Sequence, residues 1–181
     1  MASDDGASPE EQLFEACRRN NTSLLQTLLS TPPFSSAPQK TAHFLNTTTS
    51  PLGASALHIA ASHGSYETLD LLLDQEGLEI DHTEPREGDT ALHCAVRWCN
   101  SQGPQGWEEG KGVVEILVDA GCDPRIRNKA RLRPVELLDP RCGEVREVLQ
   151  RAEMGMMAGL GAGGDVVEES DGEGGAGSES D

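Results

Sequence analysis

Across residues 13–149 the apolar positions recur at intervals of three and four, in short runs broken by Gly, Pro, Asn and Asp. That spacing predicts a series of amphipathic helices. The first is marked by Leu13, Phe14 and Cys17, preceded by Ser8 as N-cap, Pro9 at the first helical position and Glu11 at the third. The second, over Thr22–Ser30, carries Leu24, Leu25, Leu28 and Leu29. Farther along, Gly64 breaks the chain and Ser65 caps a run over residues 66–74 with Leu69, Leu72 and Leu73 at helical spacing. The segment V-V-E-I-L-V-D-A-G-C-D-P, residues 113–124, forms another helix that Gly121 terminates. Residues 143–151 form the last.

Two of the runs are one element written twice. Residues 53–61 read G-A-S-A-L-H-I-A-A and residues 88–96 read G-D-T-A-L-H-C-A-V, placing Leu57 and Leu92 35 residues apart. In each copy the glycine, Gly53 or Gly88, suits a tight turn with positive φ. Ser55 and Thr90 stand where a hydroxyl caps the following helix, and the small Ala60 and Ala95 let a second helix pack closely. His58 and His93 share one slot, where the ring bonds the neighbouring turn, so they read as structural and not as catalytic or metal-binding. A period of about 33 residues built on a T-P-L-H-x-A core resembles the ankyrin-repeat family, which implies an all-α solenoid of helix-turn-helix units that binds proteins.

The two copies differ in length. Eight residues separate Ala60 from Thr68, but eighteen separate Ala95 from Val113, so ten extra residues within 99–112 are expected as an inserted loop. Weaker copies flank the pair. Residues 131–139, R-L-R-P-V-E-L-L-D, keep Pro134 and Val135 in the core slots but replace the glycine by Arg131 and the histidine by Glu136. Atypical ends are expected of a solenoid, whose terminal units face water. The predicted layout is a disordered stretch at 1–8, then an ankyrin domain over 9–151. Within it lie a cap (9–45), a repeat (53–81), a repeat with insertion (88–124) and a second cap (128–151). A disordered acidic, Gly/Ser-rich tail follows at 152–181.

Charge adds a preference in partners. The chain carries 31 acids against 14 bases, a net −17. Residues 152–181 hold eight of the acids and no Lys or Arg, which leaves −9 on residues 1–151. Direct nucleic-acid binding, which needs a basic face to neutralise phosphates, is disfavoured; a basic protein is favoured. An acidic tail that only solubilises stays open beside one that binds. Ser170 and Ser178 each precede an acid by three positions, a spacing that suits an acid-directed kinase. The Met-Gly-Met-Met run at 154–157 reads either as a fraying helix end or as an adaptable apolar contact.

Other chemistry finds little footing. No apolar stretch approaches the roughly 20 residues of a membrane span, and the N-terminus lacks a signal-peptide pattern. An intracellular protein with five reduced cysteines, Cys17, Cys94, Cys99, Cys122 and Cys142, is therefore expected. There is no phosphate-binding glycine loop, nucleophile elbow or paired metal-ligand motif, so neither enzyme activity nor a cofactor or metal is expected.

The ankyrin resemblance implies contacts at turn tips and inner helices. On this chain those slots are Arg86, Glu87 and Asp89, then Lys129, Ala130 and Leu132 at the tips, with Ser62, His63, Arg97 and Trp98 on the inner helices. Trp98, at a slot normally exposed, and Trp107, in the insertion, are candidate anchors because aromatics dominate interface hot spots. The alternatives are that Trp98 packs beneath the insertion and that Trp107 pins it to the body.

The run D-P-R-I-R-N-K (residues 123–129), the long segment before the first good copy, the doubled element and the acidic C-terminus also resemble fungal ankyrin-repeat chaperones of the KH-domain ribosomal protein of the small subunit. That resemblance implies a cytoplasmic and nuclear escort, monomeric or 1:1 with its client, which masks a basic small-subunit ribosomal protein before assembly. The rival is a signalling or transcriptional adaptor whose groove binds a regulatory protein.

Overall fold

The structure, a computed structural model, describes residues 6–162. They form nine α-helices: α1 (Pro9–Arg19), α2 (Thr22–Ser30), α3 (Pro38–Thr47), α4 (Ala56–Ser62), α5 (Tyr66–Leu73), α6 (Ala91–Gln102), α7 (Trp107–Asp119), α8 (Pro134–Leu137) and α9 (Gly143–Ala162). No strand occurs among the described residues. The helices α1, α4, α6 and α8 stack in one row, while α2, α5, α7 and α9 stack behind them, so four helical pairs make the solenoid.

Local signals set the helix starts. Ser8 Oγ accepts from Glu11 N at 3.2 Å and Ser8 N donates back to the Glu11 carboxylate at 2.9 Å, the reciprocal box foreseen from the sequence. One continuous core joins the pairs, with Leu13, Leu25, Leu69, Leu72, Leu92, Val96, Val113, Leu117, Val145 and Leu149 all essentially inaccessible. Burying each such side chain stabilises the fold by about 1.5–3 kcal/mol before entropy is counted.

Three boundaries depart from expectation. The ten-residue insertion is not a loop. It lengthens α6 to 12 residues against 7 in α4, and α7 to 13 against 8 in α5, with only Gly103 and the 3-10 turn Pro104–Gly106 between them. Cys99 and Gly110, both buried, continue the helical stripes into the insertion, so the extra turns have core to pack on.

The tail does not begin at 152. Helix α9 runs on to Ala162, and Glu153, buried, pairs with Arg133 at 2.9 Å. Finally, α3 fills a segment with no predicted helix; its only buried residues, Thr41 and Leu45, make too thin a stripe to detect. Asn46 ties α3 to the array by bonds with Gly77 O at 2.8 Å and Glu79 N at 2.9 Å. The expected disorder of the N-terminal stretch falls mainly outside the described residues, as does that of the tail from residue 163 onward with its serines at 170 and 178, whereas residues 152–162 are helical.

Candidate partner-binding site

The turns ahead of α4, α6 and α8 form a row of stacked tips. In the middle tip the Glu84 carboxylate accepts from the backbone N–H of Arg86 (2.6 Å), Glu87 (2.5 Å) and Asp89 (3.2 Å), and Gly88 turns the chain at φ +70°. Gly53 does the same in the first tip at φ +81°. Both glycines also admit a neighbour: a Cβ on Gly53 would lie 2.3 Å from Pro85, and one on Gly88 3.0 Å from the Lys129 backbone N. The third tip keeps this geometry without a glycine, since Arg131 adopts φ +63°.

The histidines connect the tips. His58 Nε2 donates to the Asp89 carbonyl at 2.9 Å, and His93 Nε2 to the Leu132 carbonyl at 2.9 Å. A carbonyl only accepts, so each ring carries its proton on Nε2 and leaves Nδ1 to accept. Nδ1 of His58 takes the Ser55 hydroxyl at 2.7 Å and Ser55 N at 3.3 Å; Nδ1 of His93 takes the Thr90 hydroxyl at 2.9 Å and Thr90 N at 3.1 Å. Burial lowers the pKa of both rings, against the raising effect of the carbonyl bonds. The neutral ring is the one that fits.

Between the first two tips and helices α4 and α6 lies a depression of about 490 Å³, lined by Leu52, Ile59, Glu84, Arg86, Glu87 and Arg97 among others. Of the anticipated contact residues, it gathers Arg86 and Glu87, both exposed and 3.6 Å apart as an ion pair, the half-exposed Arg97, the exposed Ser62 and His63, and the edge of the buried Asp89. Several of the anticipated residues are committed elsewhere. Asp89 is buried, with Arg97 Nε on one oxygen at 2.7 Å and Asn128 Nδ2 on the other at 2.8 Å. Desolvation opposes its charge, but the bonds from Arg97 and Asn128 prevail and hold its pKa below the usual carboxylate range. It is framework, not a free tip group. Leu132 is half-buried and spends its carbonyl on His93. Lys129 is exposed, but Nζ reaches the Pro85 carbonyl and its N–H bonds Glu87 O at 2.8 Å.

Neither tryptophan lines the depression. Trp98 is half-buried and its ring lies against Gly64, whose Cβ, if present, would sit 2.1 Å away. Trp107 is half-buried at the start of α7, with the Arg141 guanidinium 5.9 Å above its ring. Leu52, which is 67% exposed, lines the depression without having been anticipated, although it holds the same pre-glycine slot as Glu87. A second depression, about 690 Å³, lies at the N-terminal end between Phe34, Phe44, Lys40 and His43, where no site was anticipated.

Nucleophiles and metal ligands are quiet. All five cysteines are free, and burial pushes the thiols of Cys17, Cys99 and Cys122 up to about 12 and that of Cys94 to about 11. Among the described residues no group of three or more His, Cys, Asp or Glu side chains is placed to hold a metal ion. No described helix is long and apolar enough to cross a membrane.

The family model for ankyrin repeats matches residues 13–128 in three copies. The chain belongs to the ankyrin-repeat family. An ankyrin repeat-containing protein of Saccharomyces cerevisiae is 38% identical over 161 residues, covering 88% of this chain and 86% of the yeast protein. An ANK repeat-containing protein of Caenorhabditis elegans is 31% identical over 77 residues, 41% of this chain and 12% of the worm protein. The matched region ends at Asn128, just before the tip where Arg131 replaces the ankyrin glycine. Membership makes the molecule a protein-binding scaffold; the helical pairs and stacked tips supply its surface.

Proposed function

We propose that this ankyrin scaffold escorts a basic protein client, of the kind represented by a small-subunit ribosomal protein, and holds it soluble between cytoplasm and nucleus before assembly. The observation that carries this reading is the depression between the first two tips. There the exposed Leu52 and the apolar Ile59 stand beside the Glu87 carboxylate, on a chain with a net charge of −17. Such a surface takes an apolar side chain of a client, and a flanking Lys or Arg of the client exchanges with Arg86 for the exposed Glu87 carboxylate beside it. The excess of negative charge steers a basic client towards the surface and masks it from nucleic acid.

The apolar character of Leu52 and Ile59 equally favours an adaptor that docks a regulatory protein through this depression alone. Salt separates the two, because screening removes long-range attraction but leaves apolar contact intact. In a pull-down of purified small-subunit ribosomal proteins, the escort reading expects capture that fades steeply with added salt and is weakened by Leu52→Asp with Glu87→Lys. Salt-insensitive binding to an unrelated partner, with no basic ribosomal protein retained, overturns it.

A further inference from the structure

Five of the chain's 14 bases crowd into the third tip, Arg125, Arg127, Lys129, Arg131 and Arg133, and Asp123 is the only acid between residues 120 and 135. Elsewhere among the described residues 21 acids stand against nine bases. Asn128 builds the turn that presents these cations: its N–H donates to the Leu132 carbonyl at 3.0 Å and its carbonyl accepts from Arg131 N at 2.8 Å. Asn128 is buried, whereas Arg127, Lys129 and Arg131 are exposed. Three of the five bases meet acids: Arg125 pairs with Asp123 at 2.8 Å, Arg133 with Glu153 at 2.9 Å and Arg127 with Glu136 at 3.1 Å. Among the described residues no carboxylate pairs with Lys129, whose Nζ sits on the neutral Pro85 carbonyl, or with Arg131. The Arg127 guanidinium, half-exposed, donates to the Arg131 carbonyl at 2.6 Å and so joins them. On the neighbouring tip Glu87 is matched by Arg86 at 3.6 Å. The first two tips place glycine at positive φ, but here Arg131 holds φ +63°, a conformation that disfavours any residue with a Cβ. Strain and like-charge crowding are thus both tolerated where an exposed cation is gained.

We propose that the third tip docks a short acidic segment of a second protein, whose carboxylates pair with Lys129, Arg131 and Arg127. Charge complementarity selects this occupant and turns a basic segment away, so the tip and the depression between the first two tips suit partners of opposite charge. The tip acts in this way whether or not the depression holds a basic client. Phosphates suit the same cations, but an RNA strand carries charge along its whole length and runs past the tip over acidic surface. A short acidic segment ends at the tip. At about 0.1 M salt the screening length is about 10 Å, so a ligand confined there is governed by the three cations and not by the net −17.

The test titrates the full chain by fluorescence anisotropy at about 0.1 M salt with three labelled probes: a peptide of alternating Glu and Ser, its Gln/Ser counterpart and a single-stranded RNA of equal charge. The Glu/Ser peptide is expected to bind, the Gln/Ser peptide not to bind, and the RNA to bind more weakly than the Glu/Ser peptide. Lys129→Gln with Arg131→Gly removes both unmatched charges and restores the family's glycine, and a Tm at or above that of wild type verifies the fold. This variant is expected to weaken the Kd for the Glu/Ser peptide about tenfold, and Lys129→Gln alone about threefold. Absence of Glu/Ser binding by wild type, or equal affinity of wild type and both variants, overturns the proposal. Tighter binding of the RNA than of the peptide overturns it in favour of a nucleic-acid site.

Discussion

The two best-matched repeats share the same opening residues yet stand at different heights. In the pair α4–α5 the chain turns back at Gly64, whereas in α6–α7 both helices run five residues farther, about 7 Å each. The taller pair is not an ornament on the array. Its Trp98 lies against Gly64 of the shorter pair, while Asn100 bonds Leu137 O and Asp139 N of the next pair, α8–α9, both at 2.9 Å. An insertion into a repeat is thus tolerated where its residues continue the helical stripe and find partners on both sides.

The strongest way to break this comparison is Gly110→Val. A Cβ there would sit 2.3 Å from Cys99 Sγ and 3.2 Å from its Cα, between the two long helices. We expect a loss of about 3 kcal/mol in chemical denaturation, and a loss below about 1 would show that the two helices separate freely there. Next comes Gly64→Ala in the short pair, which both forces a side chain into φ +64° and meets Trp98. It should cost about 2 kcal/mol, falling by about 1 when Trp98→Ala is combined with it. Additive losses would mean that the ring does not seat on this turn.

Acid tests the element the two pairs have in common. The folded pKa values of His58 and His93 lie below the ordinary 6.5. Their contribution is therefore full above that pH. Below it the unfolded chain takes up protons that the folded rings refuse, and stability is lost as pH falls towards the lowered folded values. Each histidine adds a slope of up to about 1.4 kcal/mol per pH unit while it titrates. His58→Gln and His93→Gln should each flatten the dependence of Tm between about pH 7 and 5 by a similar amount. If only one does, the two links are not equivalent.

The smallest effect concerns the turn that lost its glycine. Arg131 holds φ +63°, so Arg131→Gly relieves backbone strain while loosening the unfolded chain. A net gain of about 0.5 kcal/mol in thermal or denaturant unfolding is expected, and destabilisation would show that the Arg131 side chain supports the tip.

Features held within a few residues were legible in advance. The Ser8 box and the turns at Gly53 and Gly88 follow from groups acting on nearby backbone, and the structural role of His58 and His93 was legible because the repeat places both in one slot, although their Nε2 partners lie 31 and 39 residues away. The fate of residues 99–112 was not, because Gly103, Pro104 and Gly106 read as loop and their brief turn between two helices shows only once Gly110 meets Cys99. Asp89 looked like a tip residue by position; its burial depends on Asn128, 39 residues away. Trp98 looked exposed because nothing nearby in the chain reveals Gly64 beneath it. Leu52 went unnoticed because it sits outside the doubled element.

The sequence by itself determined the family, the helical pairs and the acidity of the chain, since periodicity, turn chemistry and charge are properties of short windows and of composition. Tertiary structure alone decided the equal lengthening of α6 and α7, the burial of Asp89 between Arg97 and Asn128, and the exposure of Met154 and Met157 on α9. Each of these depends on which distant groups meet, and burial is set by such meetings and not by position along the chain.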